Sequence, residues 1–315
     1  MKHFTSVDDI QDLNALLDIA QNHKQNPFAN EDLGRRKTIG LLFFNPSLRT
    51  RLSTQKAASN LGMQAMVMNL NTEGWLLEFE DGVVMNGNKA EHIREAAQVV
   101  SQYCDILAVR SFPTLADKQK DVSEHVISAF KKFASVPIVS LEGSSEHPLQ
   151  AVADALTIRE FKTKNRPKVV LTWAPHPKAL PHAVPNSFAK IMKLSDVDFI
   201  ITNPDGYDLD PKITNGVTIE RDQNKAFENA DFIYAKNWSS FENYGQILSQ
   251  DLSWTITSEK LKLTNSAKFM HCLPVRRNMI VSDEVLDSES SIVIPQANNR
   301  TFAAQAVLSE ILKNQ

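Results

Sequence analysis

Phe43-Phe44-Asn45-Pro46-Ser47-Leu48-Arg49-Thr50-Arg51 joins the end of one apolar run to the start of a helical one. Residues 38–44 are apolar, β-rich and short, the pattern of a strand buried on both faces. Asn45-Pro46-Ser47 supplies turn chemistry, with Ser47 as the expected N-cap. From Thr50 onward Thr54, Ala57, Ala58 and Leu61 recur at helical spacing, and Gly62 ends the run. A strand that feeds a helix through a tight turn is the repeating piece of an α/β fold. It aims the helix's N–H groups and positive dipole end away from the sheet, beside Arg49, Arg51 and two hydroxyls. A phosphate-sized anion fits that chemistry. A plain capped helix with a solvated basic face fits the same residues, and local chemistry leaves both open. The chain has no Gly-x-x-x-x-Gly-Lys, so the turn is not a Walker loop, and no Gly-x-Gly-x-x-Gly, which removes the main support for a dinucleotide cofactor.

At 315 residues there is room for two domains with ordinary cores. Hydrophobic residues at 42% and charged residues at 23% suit a globular enzyme. A net charge of −3 exerts no general pull toward nucleic acid or membrane, so neither is expected as a partner. No apolar run reaches the ~20 residues of a membrane span and no leader is visible, so a cytoplasmic location is expected. Cys104 and Cys272 lie in separate apolar contexts, in no metal-like spacing. No disulfide framework, metal or cofactor is expected.

Strand-like and helix-like runs alternate throughout. Strands are expected at 38–44, 65–70, 105–109 and 136–141, then at 168–173, 197–202, 231–235, 268–272 and 291–295. Helices are expected at 91–102 and 122–133, with one at 147–161 joining the halves. The alternation predicts an α/β protein with two doubly wound parallel-sheet domains. Ligands of such sheets bind beyond the carboxyl ends of the strands. Those ends carry Ser47 to Arg51, Arg110, Glu142 and His271-Cys272-Leu273-Pro274-Val275-Arg276-Arg277, while Glu146-His147-Pro148-Leu149-Gln150 opens the joining helix. Two further segments have the length of working loops, 71–90 with Trp75 and the proline-rich 174–185. His271-Cys272 invites a thiol-nucleophile reading, but neighbours on a strand point to opposite faces.

Ser47-Leu48-Arg49-Thr50-Arg51, Val109-Arg110-Ser111-Phe112, His147-Pro148-Leu149-Gln150 and His271-Cys272-Leu273-Pro274 together resemble the ordered signatures of the transcarbamylase family. The family's usual Ser-Thr-Arg-Thr-Arg has Leu48 in place of its first threonine, which costs a hydroxyl but no backbone N–H. The resemblance implies that residues 1–146 bind carbamoyl phosphate and 147–295 bind the acceptor amino acid. Residues 296–315 would form a C-terminal helix packed back on the first domain. It implies a phosphate held by Ser47, Leu48, Arg49, Thr50 and Arg300. Arg110, His147 and Thr50 would donate to the carbamoyl oxygen as catalytic residues. Gln150 and the carbonyls near Cys272 and Leu273 would orient the carbamoyl NH₂. It further implies a homotrimer with shared active sites, Trp75 reaching a neighbour's carbamoyl phosphate, and a knotted second domain.

Ordinary ornithine transcarbamylases grip a free α-ammonium with an acid-rich segment. Here Ile233-Tyr234-Ala235-Lys236-Asn237-Trp238 puts Lys236 in that region. A cation there would repel an ammonium and attract a carboxylate, so the acceptor's α-amine should be blocked. This is similar to the N-acylornithine branch of the family, in which Glu142, His176, Lys236 and Arg276 would hold the acylated amino acid. Aspartate transcarbamylases fit less well. Acetyl-directed members have a glutamate near Ala90, whereas Ala90 leaves room and removes a negative charge. N-succinyl-L-ornithine is therefore the expected acceptor, giving N-succinyl-L-citrulline in arginine biosynthesis, with N-acetyl-L-ornithine as the alternative. Glu91 would weaken the argument if the register moved by one residue. A phosphate-ligand binding protein without transferase activity is the alternative from another class. It would need the helix N-terminus, but not Arg110, His147 and Gln150 acting on one carbonyl.

Overall fold

The computed structural model describes residues 1–315 and resolves into two compact units. One comprises Met1–Leu149 and Arg300–Gln315, the other Gln150–Asn299. The first holds β1 (Thr38–Phe43), β2 (Gln64–Asn69), the short β3 (Leu77–Glu78) and β4 (Glu91–His92), β5 (Ile106–Arg110) and β6 (Ile138–Glu142). Its main sheet runs β2-β1-β5-β6, all parallel, while β3 and β4 pair separately. The central β1 and β5 are buried almost end to end, because a parallel sheet carries helices on both faces. β2 lies at the edge and is largely exposed. Leu42, Leu107, Val109 and Ile138 of the sheet pack with Ile93, Ala97, Ile127 and Phe130 of the covering helices.

The second unit contains β7 (Lys168–Trp173), β8 (Asp198–Thr202), β9 (Thr218–Glu220), β10 (Phe232–Lys236) and β11 (Lys268–Met270). These form one parallel sheet in the order β11-β10-β7-β8-β9. Val170, Ile233, Ala235 and Phe269 meet Phe227, Ile256, Val281 and Val285 in its core. Both sheets therefore fit the expected α/β class, and in each the middle strands end side by side.

Four local expectations are corrected. Residues 291–295 do not form a strand: Ser291 makes one isolated bridge to Phe269, and the helix Val293–Leu312 begins directly after. Pro295 sits in that helix's first turn, where its missing N–H has no intrahelical partner to lose. Ser47 is not an N-cap. The helix starts at Arg49, Leu48 takes the cap position with φ −84° and ψ −62°, and no side chain caps it. The run 122–133 is two helices, Lys118–Val122 and His125–Phe133, separated by Glu124 in the left-handed conformation at φ 52°. The run 91–102 begins with β4 before turning helical at Ile93–Val100. The three-residue strand β9 went unforeseen, being too short to show periodicity.

Candidate active site

In the first unit, β1, β5 and β6 are neighbours and deliver their following residues to one end of the sheet. After β1, Asn45 accepts the Phe112 N–H on Oδ1 at 2.7 Å, which ties the segment beyond β1 to the one beyond β5. The helix Arg49–Asn60 then opens with no side chain on its first amides, which suits an exogenous anion. Leu48 is 67% exposed and Thr50 only 3%. Arg300 Nη2 donates to Thr50 Oγ1, and both side chains are buried. Arg51 turns elsewhere, its Nη1 3.4 Å from Asn69 Oδ1. Of the two arginines flanking Thr50, only Arg49 remains on the anion side of the argument.

Arg110, the last residue of β5, donates from Nη1 to the Pro46 carbonyl at 2.8 Å and from Nη2 to Glu142 Oε2 at 2.9 Å. Its guanidinium lies over the Phe112 ring at 4.4 Å. Burial pulls its pKa down, Glu142 pushes it back up, and nearby Arg49 lowers it slightly. The pairing keeps a buried cation at this end of the sheet. Glu142 Oε2 also lies 3.6 Å from Nε2 of the buried His147. Glu142, assigned from the sequence to the acceptor substrate, thus sits among residues assigned to carbamoyl phosphate. Trp75 is 58% exposed and donates from Nε1 to Glu91 Oε2 at 2.9 Å, making no such link to Ser47–Thr50. Ala90 is exposed, its N–H on the Leu76 carbonyl at 3.0 Å. Lys89 pairs with Glu78 at 2.9 Å; the Glu80 amide and then Lys89 hold that carboxyl down at about 2.

In the second unit, Gln150 Nε2 donates to Asp154 Oδ1 at 2.7 Å, and Gln296 Nε2 donates to the same oxygen at 2.7 Å. Gln296 Oε1 in turn accepts the His271 N–H at 2.9 Å. His271 Nδ1 accepts the Leu273 N–H at 2.8 Å, so the ring is committed to its own turn. The buried Cys272 lies near Tyr234, whose hydroxyl burial holds in its neutral form, assisted by Asp154 and Cys272.

Three adjacent strands of this sheet supply a cationic cluster: His176 follows β7, Lys236 ends β10 and Arg276 follows β11. Arg276 Nε donates to His176 Nε2 at 3.0 Å, while His176 Nδ1 lies 2.9 Å from the Lys178 carbonyl and 3.0 Å from the Lys178 N–H. Burial lowers the His176 pKa, and Lys236, Arg276 and Lys178 lower it further. Asn237 Nδ2 donates to the Ala174 carbonyl at 2.7 Å and fixes the ends of β7 and β10 together. Sequence reading missed Asn45, Asp154 and Asn237. Each has one visible signal, a polar residue beside a strand end or one helical turn from Gln150.

Residues 2–160 match the model of the aspartate/ornithine carbamoyltransferase carbamoyl-P binding domain, and residues 182–311 that of the Asp/Orn binding domain. The chain belongs to the aspartate/ornithine carbamoyltransferase family. Among transcarbamylases it is 53% identical to the N-succinylornithine carbamoyltransferase of Bacteroides fragilis, over 100% of this chain and 99% of that one. It is 36% identical to the N-acetylornithine carbamoyltransferase of Xanthomonas axonopodis pv. citri, over 99% and 96%. A glutamate-to-alanine variant of N-acetyl-L-ornithine transcarbamylase, complexed with carbamyl phosphate and N-succinyl-L-norvaline, superimposes with a TM-score of 0.92 at 36% identity. That match covers 99% of this chain and 100% of the other. Both parallel-sheet domains of this transcarbamylase are thus those of its family. No helix is long and apolar enough to cross a membrane.

Proposed function

We propose that this transcarbamylase moves the carbamoyl group of carbamoyl phosphate to the side-chain amine of N-succinyl-L-ornithine, giving N-succinyl-L-citrulline and phosphate in arginine biosynthesis. The observation that carries the acceptor class is the cluster of His176, Lys236 and Arg276, whose linked polar groups include no acid. Glu142, the one acid assigned to the acceptor, is already paired with Arg110 at 2.9 Å, so a free α-ammonium meets chiefly the cations Lys236 and Arg276, whereas a blocked amine leaves the carboxylate to be bound. The 53% identical N-succinylornithine relative supports succinyl over acetyl.

In this reading the phosphate rests on the amides of Ser47, Leu48, Arg49 and Thr50, with the Arg49 and Arg300 guanidiniums. Arg110, His147 and Thr50 donate to the carbamoyl oxygen. Gln150 and the carbonyls of Cys272 and Leu273 accept from the carbamoyl NH₂. The acceptor's neutral amine attacks the carbonyl carbon; a C–N bond forms, and the oxyanion is held by the donors. The C–O bond to phosphate then breaks, and the leaving phosphate takes the amine's proton. Glu142, His176, Lys236 and Arg276 hold the acylated amino acid. The enzyme acts as a homotrimer in which Trp75 enters a neighbour's site. The exposed Trp75, Leu76, Val83, Val84 and Met85 on one segment support that reading.

The test is ureido-product and phosphate formation from carbamoyl phosphate with ornithine, N-acetylornithine and N-succinylornithine at matched concentrations. N-succinylornithine should give the highest kcat/KM. Faster turnover of N-acetylornithine overturns the succinyl assignment, preference for free ornithine overturns the blocked-amine argument, and inactivity with all three overturns transfer.

A further inference from the structure

We propose that Glu124 is a positioning residue for the carbamoyl transfer: its carboxylate holds the backbone of the loop that carries Glu142 at one end and His147 at the other. Three consecutive amides converge on it. Oε2 accepts the Ser144 N–H at 2.9 Å, and Oε1 accepts the Ser145 N–H at 2.6 Å and the Glu146 N–H at 2.8 Å. The Ser145 hydroxyl adds a fourth bond at 3.0 Å. Successive N–H groups pointing inward form an anion-binding concavity, and here the anion is built in.

The fit is close enough to dictate its neighbour. A Cβ on Gly143 would lie 2.2 Å from Glu124 Oε2, so only glycine lets the carboxylate reach the loop. The Gly143 N–H closes the loop on the Glu146 carbonyl at 2.7 Å. From its other side, the Glu146 carboxylate accepts the Ser6 hydroxyl at 2.8 Å and the Val7 N–H at 3.1 Å. Glu124 reaches inward because its own backbone is left-handed, φ 52° and ψ 46°, between two helices. That conformation is uncommon outside glycine, asparagine and aspartate, and it aims a buried acid at the loop. Burial pushes the carboxyl up to about 7, against the pull of the Ser145 and Ser144 amides. Remove the carboxylate and three partly buried amides lose their acceptor, leaving the Glu142–His147 spacing without its inner support.

The kinetic half of this inference rests on the transferase reading above; the structural half does not. Glu124→Gln keeps the volume but presents an NH₂ where an amide needs an acceptor. At pH 8 kcat should fall about 30-fold and the acceptor KM rise several-fold as Glu142 moves. The carbamoyl phosphate KM should stay within about threefold, since Arg49, Thr50 and Arg300 are untouched. Loss of folded enzyme alone would change no KM. Hydrogen exchange at amides 144–146 should accelerate while the sheet amides stay protected. Gly143→Ala should reproduce these effects alone and add little in a Glu124→Ala background, where the clashing atom is gone. Unchanged exchange at 144–146 in Glu124→Gln, or kcat and acceptor KM both within twofold of wild type, overturns the proposal. If the wild type transfers carbamoyl to no acceptor, the functional reading fails and the exchange result alone decides whether Glu124 holds the loop.

Discussion

Gln150 and Asp154, one turn apart on the same helix, are joined by a 2.7 Å hydrogen bond from the Gln150 amide nitrogen to the carboxylate. An amide has one donor end and one acceptor end, and the carboxylate accepts only from the donor end. Asp154 therefore sets which end of Gln150 is the acceptor, the end that the proposed contact to the carbamoyl NH₂ would use. Its second bond, from Gln296 at 2.7 Å, stops the carboxylate from turning away. Asp154→Asn should leave Gln150 able to flip, with kcat down at least tenfold and stability lowered by about 1–3 kcal/mol, the cost of unsatisfied buried groups. Denaturant unfolding and steady-state kinetics measure the two effects. Wild-type kcat in Asp154→Asn would show that amide orientation is not set there.

Arg49 gives the phosphate assignment its sharpest test. The guanidinium is half-buried at a helix start that no side chain caps, so its removal exposes little core. Arg49→Ala should cost one or two charged hydrogen bonds to phosphate, about 2–4 kcal/mol, or roughly 30- to 1,000-fold in kcat/KM. Tm should move by only a degree or two. Normal carbamoyl phosphate kinetics in this variant would remove the anion site from the start of that helix.

The buried acid at the loop also makes stability depend on pH. Unfolded, Glu124 releases its proton near 4.5; folded, it does so at about 7. Between those values the folded state holds the extra proton, so Glu124's contribution to stability falls as pH rises through the window and is constant above it. Burial is the main cause, and the neighbouring Glu146 carboxylate adds to it. The full difference corresponds to about 3 kcal/mol. Unfolding free energies of wild type and Glu124→Gln, compared from pH 4.5 to 8, should converge as pH rises by up to that amount. The difference between the two proteins cancels Glu142, His147 and every other group they share. A constant gap across the window would mean that Glu124 stays ionised throughout.

The sheets were legible because buried parallel strands are apolar from end to end. The strands expected at 38–44 and 168–173 appear as β1 and β7 with ends moved by at most one residue. Where one residue type serves two structures, the reading failed. The apolar 291–295 segment suits a strand or a helix start, and the sheet had no place for it beyond one bridge. Arg110 and Arg276 could be placed at strand ends from the alternation of elements, but the roles given to Arg110, His176, Lys236 and Arg276 came from the family resemblance. Glu124 could not be named, since its three amide partners lie 20–22 residues away and nothing local marks a left-handed glutamate. Asn45 could be seen as a turn residue but not as the tie between the β1 and β5 ends, a contact 67 residues long.

The proposed preference for succinyl over acetyl is tested at Ala90. The competing register, in which Glu91 occupies the critical place, is disfavoured by the Trp75 indole, which holds the Glu91 carboxylate at 2.9 Å. Lys89 is paired with Glu78 and the His92 ring lies 3.2 Å from the Glu80 carbonyl, so the surroundings of Ala90 are near neutral rather than cationic. In the proposed reading, a neutral neighbourhood at Ala90 would accept succinyl through space and the absence of repulsion. A glutamate at this position would set a second carboxylate close to the terminal carboxylate of succinate. Like charges about 5 Å apart at a partly solvated site repel by about 2 kcal/mol, or ~30-fold. The acetyl group carries no charge and should lose far less. Ala90→Glu should therefore lower kcat/KM for N-succinylornithine by about 30-fold and change that for N-acetylornithine by less than threefold, reversing or erasing the preference. Raising the ionic strength should recover part of the succinyl loss, because the repulsion is screened. An equal fall for both acceptors would show that Ala90 sets the shape of the loop and not the charge of the acyl pocket.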